Sequence, residues 1–288
     1  ISSTGSNKYI YIGSTLHGVN IASLSNAEVV VGVNTITFIA TGTSTSISCA
    51  TYNSQVALFD NVSVRLAELD RSVNANGLQV FGTITKDTVV ATGADLVGYK
   101  GFSASNYLQQ PYNSDLDFGT GDFNVTMWLK SSTYGNGCAF HRGNGSSGTW
   151  GNAIIQIEKN TSDFSMNVSA NGFTNVSTLS VAETLVRDGT WKCVSVGRLG
   201  STLFMYINGI LVGTTSGSTE NLTNTAANTK IGERPNVSRP WDGDIALVRI
   251  SATVPSPEQI AKIYNDEKFL FQAGAQSTLY DDTDAVTA

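Results

Sequence analysis

The feature that most constrains this chain is a succession of short runs rich in β-branched and aromatic residues, each cut off by Gly, Asn or Ser before it reaches helical length. Residues 123–130, 153–158, 164–169, 191–196, 202–207, 210–213 and 244–250 are of this kind. Runs so short and so regularly interrupted predict antiparallel strands in a sandwich. The sharpest turn signal is Ile207-Asn208-Gly209-Ile210, because Asn and Gly both tolerate the positive φ demanded at the two centres of a type I′ turn. The flanking runs must therefore pair. Composition agrees: 28 Gly, 5 Pro, and 14% charged against 41% hydrophobic residues describe sheets joined by polar turns.

A length of 288 residues suggests two domains at roughly 150 residues each. In the first, residues 8–13, 28–33, 35–40 and 44–50 read as strands, and 56–66 follows them. Within 34–40, Ile36 and Phe38 alternate with Thr35, Thr37 and Ile39, a mostly period-two pattern with one face buried. So few strands do not close a sandwich, so residues 1–68 are expected to be part of a jelly roll that begins before Ile1. Polar residues 69–76 form the linker, and 77–268 the second sandwich. One helix is readable there: Ser256 as N-cap, Pro257 at the first position, Gln259 completing a capping box, then Ile260, Ile263 and Tyr264 on one face. Residues 269–288 are expected to be an extended tail leading to a further region. The expected class is all-β: two antiparallel β-sandwich (jelly-roll) domains, the second with one short C-terminal helix.

The net charge is −6 and no Lys/Arg run occurs, which excludes nucleic acid as a partner. Apolar stretches such as 27–33 are far shorter than the roughly 20 residues that span a bilayer, so no membrane insertion is expected. Cys49, Cys138 and Cys193 are widely spaced and lack any C-x-x-C pairing. They read as small buried hydrophobes, with a Cys138–Cys193 bridge as the alternative.

Three stretches in one order carry a resemblance: Ser105-Asn-Tyr-Leu with Leu116-Asp-Phe-Gly-Thr-Gly-Asp-Phe123 and Met127-Trp-Leu-Lys130; Gly189-Thr-Trp191 with Tyr206-Ile-Asn-Gly209; and Gly243-Asp-Ile245 with Val248-Arg-Ile250. Residues 77–268 resemble the laminin G-like (concanavalin A-like lectin) family, which implies that Trp128 and Trp191 are core anchors within strands and that Gly119, Gly121 and Gly243 permit tight strand entries. Where the family often carries Ile-Asp, Ala246 follows Ile245, weakening a calcium role there. Asp60-Asn61-Val62 resembles the last strand of a jelly-roll carbohydrate-binding module, which implies a structural calcium at Asp60. The joined domains, with the linker Asp70-Arg-Ser-Val-Asn74, resemble regions of virion structural proteins of marine tailed bacteriophages.

Some concanavalin A-like proteins are retaining glucanases, which need two carboxylates about 5–5.5 Å apart. The nearest approach, Glu68-Leu-Asp70, lacks the third acid of their strand motif and reads as a solvated charge pair. With two histidines, His17 and His141, a triad or three-histidine metal site has little material. No catalysis and no organic cofactor are expected. Calcium is the plausible metal, with Asp115, Asp117 and Asp122 in one turn and Asp242 and Asp244 in another as oxygen donors. For glycan, aromatic residues within polar loops are informative, since a ring stacks on a sugar while amides and guanidinium groups bind its hydroxyls. Two loops fit: 134–152, with Tyr134, His141, Arg142, Asn144 and Trp150; and 234–244, with Asn236, Arg239 and Trp241. Either tryptophan could instead fold back on the core. The expected function is a non-enzymatic virion surface protein, a tail fibre, appendage or capsid decoration, that binds host-surface glycan or neighbouring virion proteins as a homo-oligomer. The alternatives are an accessory module of a secreted glycoside hydrolase and a bacterial surface adhesin.

Overall fold

A computed structural model describes residues 8–272 apart from 17, 26, 31–33, 35, 37, 52–57, 60–61, 63, 65–66, 69–76, 90–95, 145–152, 171–175 and 236–237. The chain divides into two compact units, Ile1–Gln79 and Val80–Ala288. In the first, β1 (Lys8–Gly13) is flanked antiparallel by β2 (Ala22–Leu24) and β3 (Ser46–Thr51), and β4 (Ala67–Glu68) pairs with the first half of β5 (Leu78–Phe81). The described parts of 28–33 and 35–40 form no strand. Local hydrogen bonds win there: Glu28 and Val29 both donate their backbone N–H to the Ser25 carbonyl, and the Asn34 amide bonds both the N–H and the C=O of Val30.

The second unit is the sandwich. Its strands are β6 (Thr85–Thr88), β7 (Val97–Lys100), β8 (Tyr107–Gln110), β9 (Phe123–Lys130), β10 (Gly137–Gly143), β11 (Ala153–Lys159), β12 (Asp163–Val168), β13 (Ser177–Ala182), β14 (Lys192–Leu199), β15 (Thr202–Ile207), β16 (Ile210–Ser216), β17 (Asn228–Ile231) and β18 (Asp244–Ser251), followed by helix α1 (Pro257–Glu267). Sheet A runs β13-β12-β11-β10-β17-β8-β5 and sheet B runs β16-β15-β14-β9-β18-β7-β6. Alternation along the strands sets the interior. Phe123, Val125, Met127 and Leu129 of sheet B, and Phe140, Ile155, Ile157, Met166 and Leu179 of sheet A, are all buried. A Cβ on Gly213 would lie 3.2 Å from both Leu179 and Val181, so these rows face each other across the core.

The Asn208–Gly209 turn forms as the sequence predicts, with φ of 52° and 77°; it joins β15 to β16 in register, and the Asn208 carboxamide accepts the Cys193 N–H. The capping box of α1 is also present. A 3₁₀ turn, Lys268–Phe271, follows, so the first residues of the expected tail are not extended, while residues 273–288 lie outside the described residues. Phe271 stacks on Trp128 with ring centroids 4.0 Å apart. Together with Val89, Cys193 and Ala246 they form an apolar cluster on the outer face of sheet B. Trp191 packs on the same ring from just before β14, not from within a strand. Glu267 ties this cover down, accepting Trp128 Nε1–H at 2.8 Å and both Arg249 donors.

All three cysteines are free. Cys138 and Cys193 are buried but stand on opposite outer faces of the sandwich, in register with Glu158 and Trp128 respectively, so no bridge joins them; Cys49 is exposed, against expectation. No helix among the described residues is long and apolar enough to cross a membrane. At the flanks of sheet B, β6 presents Thr-Lys-Asp-Thr whereas β16 exposes Ile210 and Leu211.

Candidate functional site

The outer face of sheet A carries a concentration of buried polar side chains. Across the strands, Thr178, Asn167, Gln156, His141, Lys230 and Gln109 stand in one register row. The reason is the period of two in β11, Ile154-Ile155-Gln156-Ile157-Glu158, which sends its isoleucines inward and Gln156 and Glu158 outward. Glu158 receives Arg234 at 3.3 Å and Arg239 at 3.4 Å on the same carboxylate oxygen. Glu233 joins this cluster beside Lys230 and Arg234; burial raises its carboxyl pKa, against hydrogen bonds from Ser238 and the Arg239 N–H. Burial likewise lowers the Lys230 ammonium and, with Glu158 adding, pushes the Cys138 thiol well up. Gln156 is fully buried and both of its amide atoms lack a hydrogen-bond partner.

These positions correct the expected loop 134–152. Residues 137–143 are a central strand, and His141 and Arg142 are fully buried; the run was hidden because Gly, His and Arg replace the β-branched residues that announce a strand. His141 faces outward in the row above. Arg142 faces the interior, where it donates to Leu116 and Ala227 carbonyls and pairs with Asp117. Tyr134 is exposed beneath the Arg187 guanidinium, 5.4 Å from its ring. Asn144 lies just past β10. Trp150, Asn236 and Asp60 lie outside the described residues.

A second place is a surface pocket of about 400 Å³ at the ends of β7, β9 and β18, where Trp241, Asp242 and Asp244 come together with Lys100, Lys130, Ser131 and Ser132. Trp241 does not present its ring there. It is 1% exposed and donates Nε1–H to the Lys130 carbonyl, taking the alternative of folding back on the core. Asp242 is held by the buried Lys159 at 2.9 Å and by Ser131 at 3.1 Å. Among the described residues, the one ion pair of Asp244 is with Lys130, at 3.9 Å. None of them donates a hydrogen bond to its carboxyl, and burial raises its pKa despite Lys130 and Lys100. Gly243 makes the close approach possible, since a Cβ there would stand 1.8 Å from the Lys130 carbonyl oxygen.

The family model for the concanavalin A-like lectin/glucanases superfamily matches residues 102–261, more than half of the 288-residue chain. The chain belongs to this superfamily. No curated protein matches the sequence. Among solved structures, the chain is similar to the binding domain of botulinum neurotoxin DC in complex with SialylT (14% identity, TM-score 0.51, covering 69% of this chain and 48% of the other). It is also similar to the receptor binding domain of botulinum neurotoxin C/D mosaic serotype (13%, 0.52, 70% and 51%) and to the binding domain of Paraclostridial Mosquitocidal Protein 1 (12%, 0.52, 70% and 49%). The chain thus spans about half the length of the structures it matches, and at these identities the likeness carries the fold alone.

Within the superfamily span, the Leu116–Phe123 stretch docks two buried arginines. Asp117 pairs with Arg142 and also accepts Tyr112 O–H and Asn224 N–H, while the carbonyls of Gly119 and Gly121 receive Arg198. Asp122 accepts the Gly200 N–H at 2.7 Å, and Asp115 is exposed. Both oxygens of Asp117 are thus taken by the protein's own donors, and no three His, Cys, Asp or Glu side chains converge among the described residues. This superfamily stretch does not fit a calcium ion as it stands.

Proposed function

We propose that this chain is a non-enzymatic surface-recognition protein, carried on the outside of a virion, whose superfamily domain binds glycan in the pocket at the ends of β7, β9 and β18. The observation that carries the reading is Asp244: a carboxylate mostly withdrawn from water that, among the described residues, accepts no hydrogen bond, beside a Lys130 ammonium whose nearest partner among them stands 3.9 Å away. Vicinal hydroxyls satisfy both at once, one donating to Asp244 and its neighbour accepting from Lys130. The pocket's charges alternate and cancel, as Lys100 pairs with Asp87 and Lys159 with Asp242, which suits a neutral, hydroxyl-rich ligand over a strongly charged one. The similar solved structures are binding domains, one of them in a complex, which supports recognition rather than catalysis. The virion setting and a homo-oligomeric state rest on the sequence resemblance.

The test is an array of neutral glycans probed with the full chain, with calcium and then with chelator, alongside Asp244→Asn and Lys130→Ala. Binding lost in both variants at unchanged Tm supports the reading, and loss on chelation adds calcium to it. Binding indifferent to both substitutions, or none at all, overturns the pocket assignment.

A further inference from the structure

Resting on the reading of the pocket at the ends of β7, β9 and β18, we infer that its ligand is an oligosaccharide, and that Tyr134 and Arg187 form an adjoining subsite for the next sugar. Both residues reach the pocket's rim through short stretches of backbone. Ser132 lines the pocket, and Tyr134 follows it by two residues, so no more than about 7 Å of chain separates the two positions. From the segment before β14, Gly189 donates its N–H to the Ser131 carbonyl at 2.8 Å, and a Cβ on Gly189 would stand 3.6 Å from the Ser132 Cβ. Arg187 lies two residues before that contact. The rim is pinned from below, because the buried Lys159 that holds Asp242 also donates to the Thr133 carbonyl and to Ser131 Oγ.

The second observation is what the two side chains present at that rim. Tyr134 is 61% exposed. Arg187 is anchored through Nε to Glu183, itself 2% exposed, at 2.7 Å. This leaves its two Nη groups without an acceptor among the described residues, while 30% of the side chain meets solvent. The guanidinium carbon stands 5.4 Å from the Tyr134 ring centroid, farther than the contact distance of about 4 Å at which it would cover the ring. An exposed tyrosine alone needs no task; an open ring beside uncommitted donors, at the rim of a pocket, matches a sugar. The C–H face of a sugar stacks on an aromatic ring, and the hydroxyls at its edge accept guanidinium N–H groups. Since Glu183 offsets the Arg187 charge, the subsite suits a neutral sugar, as the pocket does.

The full chain is titrated by calorimetry with the mono-, di- and trisaccharides of glucose, galactose, mannose and xylose. The expected result is a rise in affinity of about tenfold from mono- to disaccharide in at least one series. Tyr134→Ala should remove that rise at unchanged Tm and leave the monosaccharide as it was. Tyr134→Phe should keep most of it, and Arg187→Lys, which still pairs with Glu183, should lose about threefold. A rise that survives Tyr134→Ala overturns the inference, as does a monosaccharide bound as tightly as its oligomers. Monosaccharide binding that Asp244→Asn abolishes, with no gain from a second sugar, keeps the pocket and rejects the subsite. Binding abolished by Tyr134→Ala but indifferent to Asp244→Asn leaves Tyr134 and Arg187 as the site and rejects the pocket. No binding of any of these sugars overturns both.

Discussion

The two outer faces of the sandwich are closed in opposite ways. Sheet B is sealed by an apolar clasp, with Trp128 under Tyr264 and Phe271 and a single carboxylate, Glu267, fully occupied by Trp128 and Arg249. Sheet A is buried just as deeply but over Gln156, Glu158 and His141. The first arrangement gains free energy from area removed from water and leaves no polar group wanting. The second retains an amide with both atoms unanswered and a carboxylate stretched between two arginines. Burial alone therefore does not mark an apolar core: one face is closed by hydrocarbon, while the other holds buried polar and charged groups.

The largest expected effect tests the clasp. Trp128→Ala removes the ring on which Phe271 stacks and should cost about 3–5 kcal/mol, read as a drop in Tm and in denaturant midpoint; a loss below about 1 kcal/mol would mean that the clasp does not stabilise sheet B. On sheet A, Glu158→Gln takes from the 3%-exposed Arg234 the carboxylate 3.3 Å away, and a loss of about 3 kcal/mol is expected by chemical denaturation. Gln156→Leu runs the other way: an unsatisfied buried amide becomes a hydrocarbon of similar size, so stability should rise by about 1 kcal/mol, and a fall would show that the amide is satisfied after all. The smallest effect is with pH. The Glu233 pKa is raised above its ordinary 4.5 by burial, so its folded form favours the proton: that contribution is complete below about pH 4.5 and is lost as pH climbs through the raised value. Glu233→Gln should flatten that stretch of the stability profile, and an unchanged slope would assign it to other groups.

Much of the fold could be read in advance because its signals are local. The Asn208-Gly209 turn needs only two residues, the Ser256–Gln259 box only four, and β9, β15 and β18 announce themselves by composition. What stayed hidden depends on partners far along the chain. The run at 137–143 became a strand because β11 and β17 pair with it on either side, and no propensity within Cys-Ala-Phe-His-Arg predicts that. The same holds for the sites. Asp242 and Asp244 were visible as a pair, but Lys130 and Lys100 reach them only through sheet B, and the tight fit of Trp241 under Lys130 is a fact of packing. The clearest overlooked signal lay in β11, where Gln156 and Glu158 interrupt a run of isoleucines at period two. Polar residues alternating within an otherwise apolar strand mean that one of its faces has a task besides filling the interior.

The two flanks of sheet B differ in how they would receive another strand. At β6 an incoming chain meets a lysine and an aspartate; at β16 it meets the bare Ile210 and Leu211. Charges of that kind repel edge pairing, while exposed aliphatic side chains invite it. Two copies joined β16 to β16 about a twofold axis would consume that flank in each and end as a pair, whereas joining β16 to β6 would repeat without limit. Should two copies meet through these flanks, Lys86 and Asp87 would act against the open-ended arrangement.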